Sequence, residues 1–445
     1  MLFRRTSLSE TSFSSKHATP TLIYIMVKKV IVMMYCHFCI TVLCINVMFD
    51  LFIFGLPLIV FKFFYIISEE RFVKMMTVLI HWTTPIVYAF PLIFSGSKIY
   101  CDDLDLLIQA RENNSILIAN HGSRIDWMVA MFCGHNKVKG QSVMYKARVG
   151  FVCESFIKYM PIIGWYRAFI CEDIFVDRSI SSDAPVIKTN VQKFLKAKER
   201  RMTFLSPEGV VVDYGEMDKF YIQSCRNYCE KLGYKSFEYV LTPRHKGTEC
   251  LLNNMHVNSK NLVSVCLAYV QNGKLLNCKM SSPSRVIPDI YLLNKGMFEN
   301  PIDVYICMRP INLKTNAVDL RTAIMNEYKW MDDILKEFDK QDSTINLERA
   351  LSGFNFSLIE PNIIEALAYH VLHAFVIIIT AVQRGLASHL YSTFISLLFV
   401  VSSCYTVGWM MNSTSMESVP FETCIKSTFL LLQNRKKRLL QSKSD

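Results

Sequence analysis

The chain divides by its pattern of apolar and polar positions before any motif is read. From Val30 to Ile67 it is almost continuously apolar, and Asp50, Gly55, Pro57 and Lys62 interrupt the second half. That length is close to two membrane spans of about 20 residues each. A hairpin broken near Asp50 is the preferred expectation, and one span followed by an interfacial helix is the alternative. A third apolar stretch, Met75 to Phe94, carries His81, Trp82, Pro85 and Pro91. It is expected to lie in the interface or to dock under the following domain. From about residue 100 to 345 short apolar runs alternate with amphipathic ones. Strands are expected at 115–119, 142–145, 173–177, 202–206, 262–269 and 302–308. Helices are expected at 125–134, 148–159, 184–199, 216–232, 247–256 and 319–339. Such alternation predicts an α/β fold with a mainly parallel sheet and helices on both faces. Two more apolar runs follow, Ile363 to Val382 and Leu390 to Met411, separated by Gln383-Arg384-Gly385. They predict a C-terminal membrane hairpin.

The boundaries drawn from this pattern are a flexible arm at 1–29, membrane helices at 30–95, a soluble domain at 96–345, a membrane hairpin at 346–412 and a basic tail at 413–445. The arm is Ser/Thr-rich over residues 1–27 and lacks the short apolar core and small-residue cleavage site of a signal peptide. The tail contains Arg435-Lys436-Lys437-Arg438. The positive-inside tendency places it in the cytosol, and a hairpin would put the soluble domain on the same side.

Composition narrows the function classes. The 445 residues are 51% hydrophobic and carry a formal charge of +11. No long single-sign block accounts for that charge, so it fits a basic face or an anionic membrane surface better than a nucleic-acid groove. The 15 cysteines are scattered. Cys36-His37-Phe38-Cys39 has zinc-like spacing inside an apolar run, and Cys225 and Cys229 are one helical turn apart. Neither has a second ligand pair, so they read as reduced structural cysteines of a cytosol-facing protein, with no metal site. A channel is disfavoured because the long soluble middle would be unexplained and the spans lack paired charges.

Three segments carry candidate chemistry. Asn120-His121-Gly122-Ser123-Arg124-Ile125-Asp126 follows the strand at 115–119 and opens a helix. The end of a strand in an α/β sheet is a common place for a reacting group. Asp126 can fold back onto one imidazole nitrogen of His121, fix its tautomer and leave the other nitrogen as a base. Lys158 to Trp165, with Pro161 and Gly164 marking a turn, leads to Asp173-Ile174-Phe175-Val176-Asp177-Arg178, a short strand with an arginine at its far end. An arginine there can hold a phosphate through two parallel hydrogen bonds; the alternative is a surface pair with Asp177. Phe204-Leu205-Ser206-Pro207-Glu208-Gly209 ends another strand. Glu208 would stand on the same edge as His121 if the two strands are parallel.

Asn-His-x-x-x-x-Asp, a strand ending in Asp-Arg and Pro-Glu-Gly, in this order and spacing, resemble the glycerolipid acyltransferase family, which includes the 1-acylglycerol-3-phosphate acyltransferases. The resemblance covers most of residues 75–345. Tyr239-Val240-Leu241-Thr242-Pro243-Arg244, Leu267-Ala268-Tyr269 and Val304 to Arg309 are similar to the eukaryotic branch that contains the lysocardiolipin and lysophosphatidylinositol acyltransferases.

The resemblance implies acyl transfer from acyl-CoA to the free hydroxyl of a lysophospholipid at a membrane. Lysophosphatidic acid is the default acceptor; lysophosphatidylinositol, lysophosphatidylglycerol and lysocardiolipin are alternatives. His121 is the implied base and Asp126 its orienting partner. Asn120, Arg178, Pro207, Glu208 and Gly209 are the implied substrate-binding residues, with acyl-CoA as co-substrate and no separate cofactor. The implied location is the endoplasmic reticulum, with a mitochondrial membrane second.

One departure stands out. The family's third motif usually reads Phe-Pro-Glu-Gly-Thr-Arg, and here Ser206, Val210 and Val211 replace the Phe, Thr and Arg. Losing a charge-assisted phosphate contact costs about 1.5–3 kcal/mol. Arg178, Arg244 or Lys246 would have to compensate, or the head group is a diester. The competing reading is a catalytically silent lipid-binding relative.

Overall fold

Among the described residues nine strands form one mixed sheet, and its register decides which side chains meet. The structure, a computed structural model, describes residues 18–64, 66–139, 148–196, 200–211, 216–254, 261–311, 320–340 and 354–383. In chain order the strands are β1 (Ile99–Cys101), β2 (Ser115–Ala119), β3 (Arg148–Glu154), β4 (Ile174–Val176), β5 (Arg201–Leu205), β6 (Asn261–Gln271), β7 (Lys274–Leu275), β8 (Asp303–Pro310) and β9 (Ser357–Leu358). Across the sheet the order is β4-β3-β5-β2-β6-β8-β1-β9, with β7 paired to β6. The block β4-β3-β5-β2-β6 is parallel throughout. β8 runs antiparallel to β6, β1 runs parallel to β8, and β9 runs antiparallel to β1. The expected mainly parallel sheet is therefore present, with a mixed group of strands added at one side.

β2 lies inside the parallel block, between β5 and β6, and is buried at every position. A central strand covered on both faces needs an unbroken apolar run, which Ser115 to Ala119 supplies. Its alternate residues feed two cores. Leu117 and Ala119 join a core that also holds Ile40, Met76, Met128, Val129 and Phe132. Ile116 and Ile118 join a second one with Ile187, Val191, Tyr328, Met331 and Leu335. Each fully buried side chain of this size contributes about 1.5–3 kcal/mol.

The first core brings in the N-terminal apolar segment. One helix runs from Ala18 to Phe49, passes through a wider π-type turn at Asp50–Gly55 and continues over Leu56–Phe63. The expected hairpin near Asp50 is absent, because the backbone stays right-handed helical at Phe49, Gly55 and Leu56. Asp50 Oδ1 lies 2.9 Å from His373 Nε2, so its carboxylate is paired within helix packing rather than exposed at a turn. The π-type turn accommodates Pro57, which has no backbone N–H to give to the preceding turn. The chain reverses instead before Ser68, whose hydroxyl accepts from Arg71 N and caps the helix Glu69–Tyr88. That second helix packs on the domain: Tyr88 meets Phe132 edge to face at 5.4 Å, and the Thr83 and Tyr166 hydroxyls lie 2.8 Å apart. By length and composition, Val27–Phe63 and Glu70–Phe94 are each long and apolar enough to cross a membrane.

Other expectations need correction. The helix expected at 148–159 is strand β3 followed by a 3-10 turn, Ser155–Tyr159. Val149, Phe151 and Val152 favour a strand, and short apolar runs do not distinguish the two states by period. The flexible arm gives way to helix at Ala18, within the segment assigned to it. Of the C-terminal pair, the helix Ile363–Gln383 is present. The strand expected at 142–145, the span Leu390 to Met411 and the basic tail lie outside the described residues. β1, β7, β9 and the helices Leu104–Glu112 and Ile290–Lys295 were not anticipated. Asp103 and Asp289 cap these two helices, accepting from Leu106 N and Leu292 N, each at 2.8 Å.

Candidate active site

The three sequence segments converge because the strands that carry them are parallel neighbours in register. β2 pairs Ile118 with Leu205 of β5, and His121 and Glu208 each lie three residues beyond, at the same level. Leu205 is preceded by Phe204, which pairs with Phe151 of β3, and Glu154 at the end of β3 pairs with Val176 of β4. Arg178 lies two residues past that point. All three segments therefore reach the C-terminal edge of the parallel block, where open α/β sheets place their ligands.

His121 is the partly exposed group of this corner, with 31% of its side chain accessible, while Asp126 is at 12%. Asp126 opens the helix Asp126–His135, and its Oδ2 lies 2.8 Å from His121 Nδ1. An ionised carboxylate only accepts, so Nδ1 carries the proton and Nε2 keeps its lone pair. Asp126 is held from two further sides: Ser123 N donates to Oδ2 at 3.3 Å, and Tyr269 Oη donates to Oδ1. Burial, followed by the neighbouring Asp126, pushes the Tyr269 phenol well above its ordinary range, so it remains a donor. Gly122 is required by a close approach. A Cβ there would lie 2.6 Å from Asn277 Nδ2, and Asn277 itself binds Tyr269 N and Leu267 O, each at 3.0 Å.

Asn120 is not presented to a ligand. Its amide accepts from Leu267 N at 2.7 Å and donates to Leu267 O at 3.1 Å, and the residue is fully buried. It ties the histidine loop to β6, because a buried amide at the end of a strand must satisfy both of its ends. Glu208 is likewise turned inward. Its Oε1 accepts from His121 N at 3.1 Å, and its pKa is raised to about 7. Burial is the largest cause, and the His121 side chain, the His121 N–H, Arg285 and the Leu241 N–H oppose it. Its role is to hold the histidine backbone.

Arg178 meets the third segment directly. Its guanidinium donates to Gly209 O and to Glu154 Oε2, the latter at 3.0 Å. The expected alternative, a pair with Asp177, is not formed; Asp177 N instead donates to Asp183 Oδ1 at 2.7 Å. Arg178 and Gly209 both have positive φ, 63° and 74°. Glycine tolerates that region, whereas a non-glycine residue there is strained and needs its neighbours to hold it. Pro207 O accepts from Arg244 N at 3.0 Å, and Tyr221 Oη donates to Glu208 O at 3.2 Å.

Sequence reasoning missed Tyr269, Ser123, Asn277, Glu154 and Tyr221 as parts of this corner. The one available signal was Tyr269, whose hydroxyl stands in the largely apolar run Leu262 to Val270. Among the described residues, no group of three His, Cys, Asp or Glu side chains is arranged to hold a metal ion.

Comparison with known proteins accords with this geometry. A model of the family described as Acyltransferase matches residues 101–230. The chain is 27% identical over 250 residues to "Probable 1-acyl-sn-glycerol-3-phosphate acyltransferase 5" of Arabidopsis thaliana, covering 55% of this chain and 56% of that protein. It is 29% identical over 152 residues to "Lysocardiolipin acyltransferase 1" of Mus musculus, covering 34% and 37%. It is 22% identical over 240 residues to "Lysophosphatidylinositol acyltransferase 10" of Caenorhabditis elegans, covering 52% and 54%. The matches thus span about half the length of these relatives or less.

Proposed function

The chain belongs to the glycerolipid acyltransferase family through its domain at residues 101–230, and from that premise we propose that it transfers an acyl chain from acyl-CoA to the free hydroxyl of a lysophospholipid. The observation that carries this reading is the 2.8 Å contact between His121 Nδ1 and Asp126 Oδ2, which leaves Nε2 as the basic nitrogen of a partly exposed imidazole.

In the proposed reaction, Nε2 takes the proton of the acceptor hydroxyl as its oxygen attacks the thioester carbonyl. The ester C–O bond forms and the C–S bond breaks. The departing CoA sulfur then takes the proton back from Nε2. Asp126 stabilises the imidazolium that exists in between, and Tyr269 and Ser123 fix Asp126. A free serine or cysteine nucleophile is not needed, because the acceptor supplies its own hydroxyl. Arg178, held at Gly209, is the cation placed for the acceptor phosphate. Lysophosphatidic acid is the acceptor that the family favours, and lysophosphatidylinositol, lysophosphatidylglycerol and lysocardiolipin follow it.

The two apolar helices support placement at a bilayer, where both acyl-bearing substrates reside. The endoplasmic reticulum membrane with a cytosol-facing domain is the proposed site, with a mitochondrial membrane second. The test is to supply membranes containing the chain with labelled acyl-CoA and a panel of lysophospholipids. Labelled diacyl product from at least one acceptor is expected. Folded, membrane-inserted protein that labels none of them would favour the silent lipid-binding alternative.

A further inference from the structure

The altered third motif leaves a gap in the chemistry that a different part of the chain fills. The family's arginine position is Val211, and the residue before it, Val210, packs in a small apolar cluster with Tyr221, Ile222 and Leu241. That cluster seats the helix Glu216–Lys231 against the Pro207–Gly209 turn and sets the position of Tyr221. Tyr221 Oη reaches Glu208 O at 3.2 Å. The Arg244 guanidinium lies over the Tyr221 ring, 5.7 Å from its centroid, while Arg244 N is fixed to Pro207 O at 3.0 Å. Arg178 is bonded to Gly209 O of the same turn. Both guanidinium groups act electrostatically on the Tyr221 hydroxyl. Arg178 shares Glu154, whereas Arg244 is exposed and has no ion-pair partner among the described residues.

We propose that Arg244, held over Tyr221 at the turn that Arg178 also binds, is the second cation that binds the phosphate of the lysolipid acceptor, in place of the arginine absent at position 211. The proposal rests on the proposed transfer reaction. A guanidinium stacked on an aromatic ring keeps its N–H edge free for an anion and loses little freedom on binding it. This fork and that of Arg178, both attached to the Pro207–Gly209 turn, suit a phosphomonoester, which has three oxygens to share. Acyl-CoA also carries phosphates, so the donor is the competing source of the same chemistry.

The test compares wild type with Arg244→Ala, Arg244→Gln and Arg244→Lys. The KM for lysophosphatidic acid is expected to rise about ten- to a hundredfold in Arg244→Ala and Arg244→Gln, as for the loss of a charge-assisted hydrogen bond. Arg244→Lys should recover part of that rise. The KM for acyl-CoA should move less than about twofold. A rise confined to the KM for acyl-CoA would overturn the assignment to the acceptor, and unchanged constants would overturn the site. A second arm needs no turnover: displacement of a fluorescent lysophosphatidic acid from the detergent-solubilised full chain. Binding there should weaken by the same factor in Arg244→Gln. Equal binding by wild type and variant would sink the proposal even if the chain turned out to be inactive. Binding lost in the variant, with a wild type that turns nothing over, would keep the clamp and count against the reaction alone.

Discussion

The histidine corner and the Pro-Glu-Gly turn lie side by side on one sheet edge, yet they are built by different physics. At the corner each polar atom that positions His121 is tied inward: Asn120 to β6, Asp126 to Ser123 and Tyr269, Gly122 against Asn277. At the turn the contacts are made by long, partly exposed side chains, with Arg178 on a strained backbone and Arg244 stacked on Tyr221. A buried network fixes one geometry, because any broken bond strands a desolvated group. An exposed cationic turn can change its residues without unfolding the domain. In the proposed reaction the corner carries the chemistry and the turn carries the choice of acceptor, and substitutions should separate the two.

The largest effect is expected at the corner. His121→Ala should lower transfer by at least 10²- to 10⁴-fold, the range supplied by general acid–base catalysis. Asp126→Asn should cost about 10²-fold, since the amide no longer stabilises the imidazolium. Tyr269→Phe should cost about tenfold in kcat with little change in KM, because it removes one bond to a charged carboxylate. An effect of Tyr269→Phe confined to KM would break the separation, since it would make the corner a binding element.

Glu208 joins the two regions and should act on stability. Its folded pKa, about 7, lies above the ordinary carboxylate value of 4.5. The folded state therefore holds the proton more tightly than the unfolded chain. The associated stability is full below about pH 4.5 and is lost as the pH rises through about 7. Glu208→Gln keeps the acceptor for His121 N and removes the charge. Its thermal stability should stay flatter than wild type across that window, with a difference on the order of 3 kcal/mol developed by its upper end. Parallel curves for the two proteins would show that Glu208 is ionised throughout. The smaller stability effect is expected from Asn120→Ala, which loses two bonds to Leu267 and should destabilise by about 1–3 kcal/mol in denaturation measurements.

Much of the frame was legible in the residues. The run from Ser115 to Ala119 announced a buried strand, and β4, β5, β6 and β8 fall close to their expected places because short apolar runs dominate them. The pairing of His121 with Asp126 was readable from spacing, since one end of a helix brings the fifth residue back. What could not be read was set by partners distant in sequence. β3 was mistaken for a helix because seven half-apolar residues have no decisive period. Asp50 looked like a hairpin turn because its partner, His373, lies in the last described helix. Asn120 looked like a ligand-binding residue because its amide is satisfied by a strand that begins over a hundred residues later. Tyr221 gave no signal at all; only the packing of Val210 explains its place.

The central claim is that His121 moves the proton of the acceptor hydroxyl. It is tested most directly by single-turnover transfer of a labelled acyl chain, at saturating acyl-CoA and acceptor, by wild type and by His121→Ala in matched membranes. A slowing of at least 10²-fold in the variant, with both substrates still bound, is the expected result. Transfer at an undiminished rate by folded His121→Ala would contradict the account.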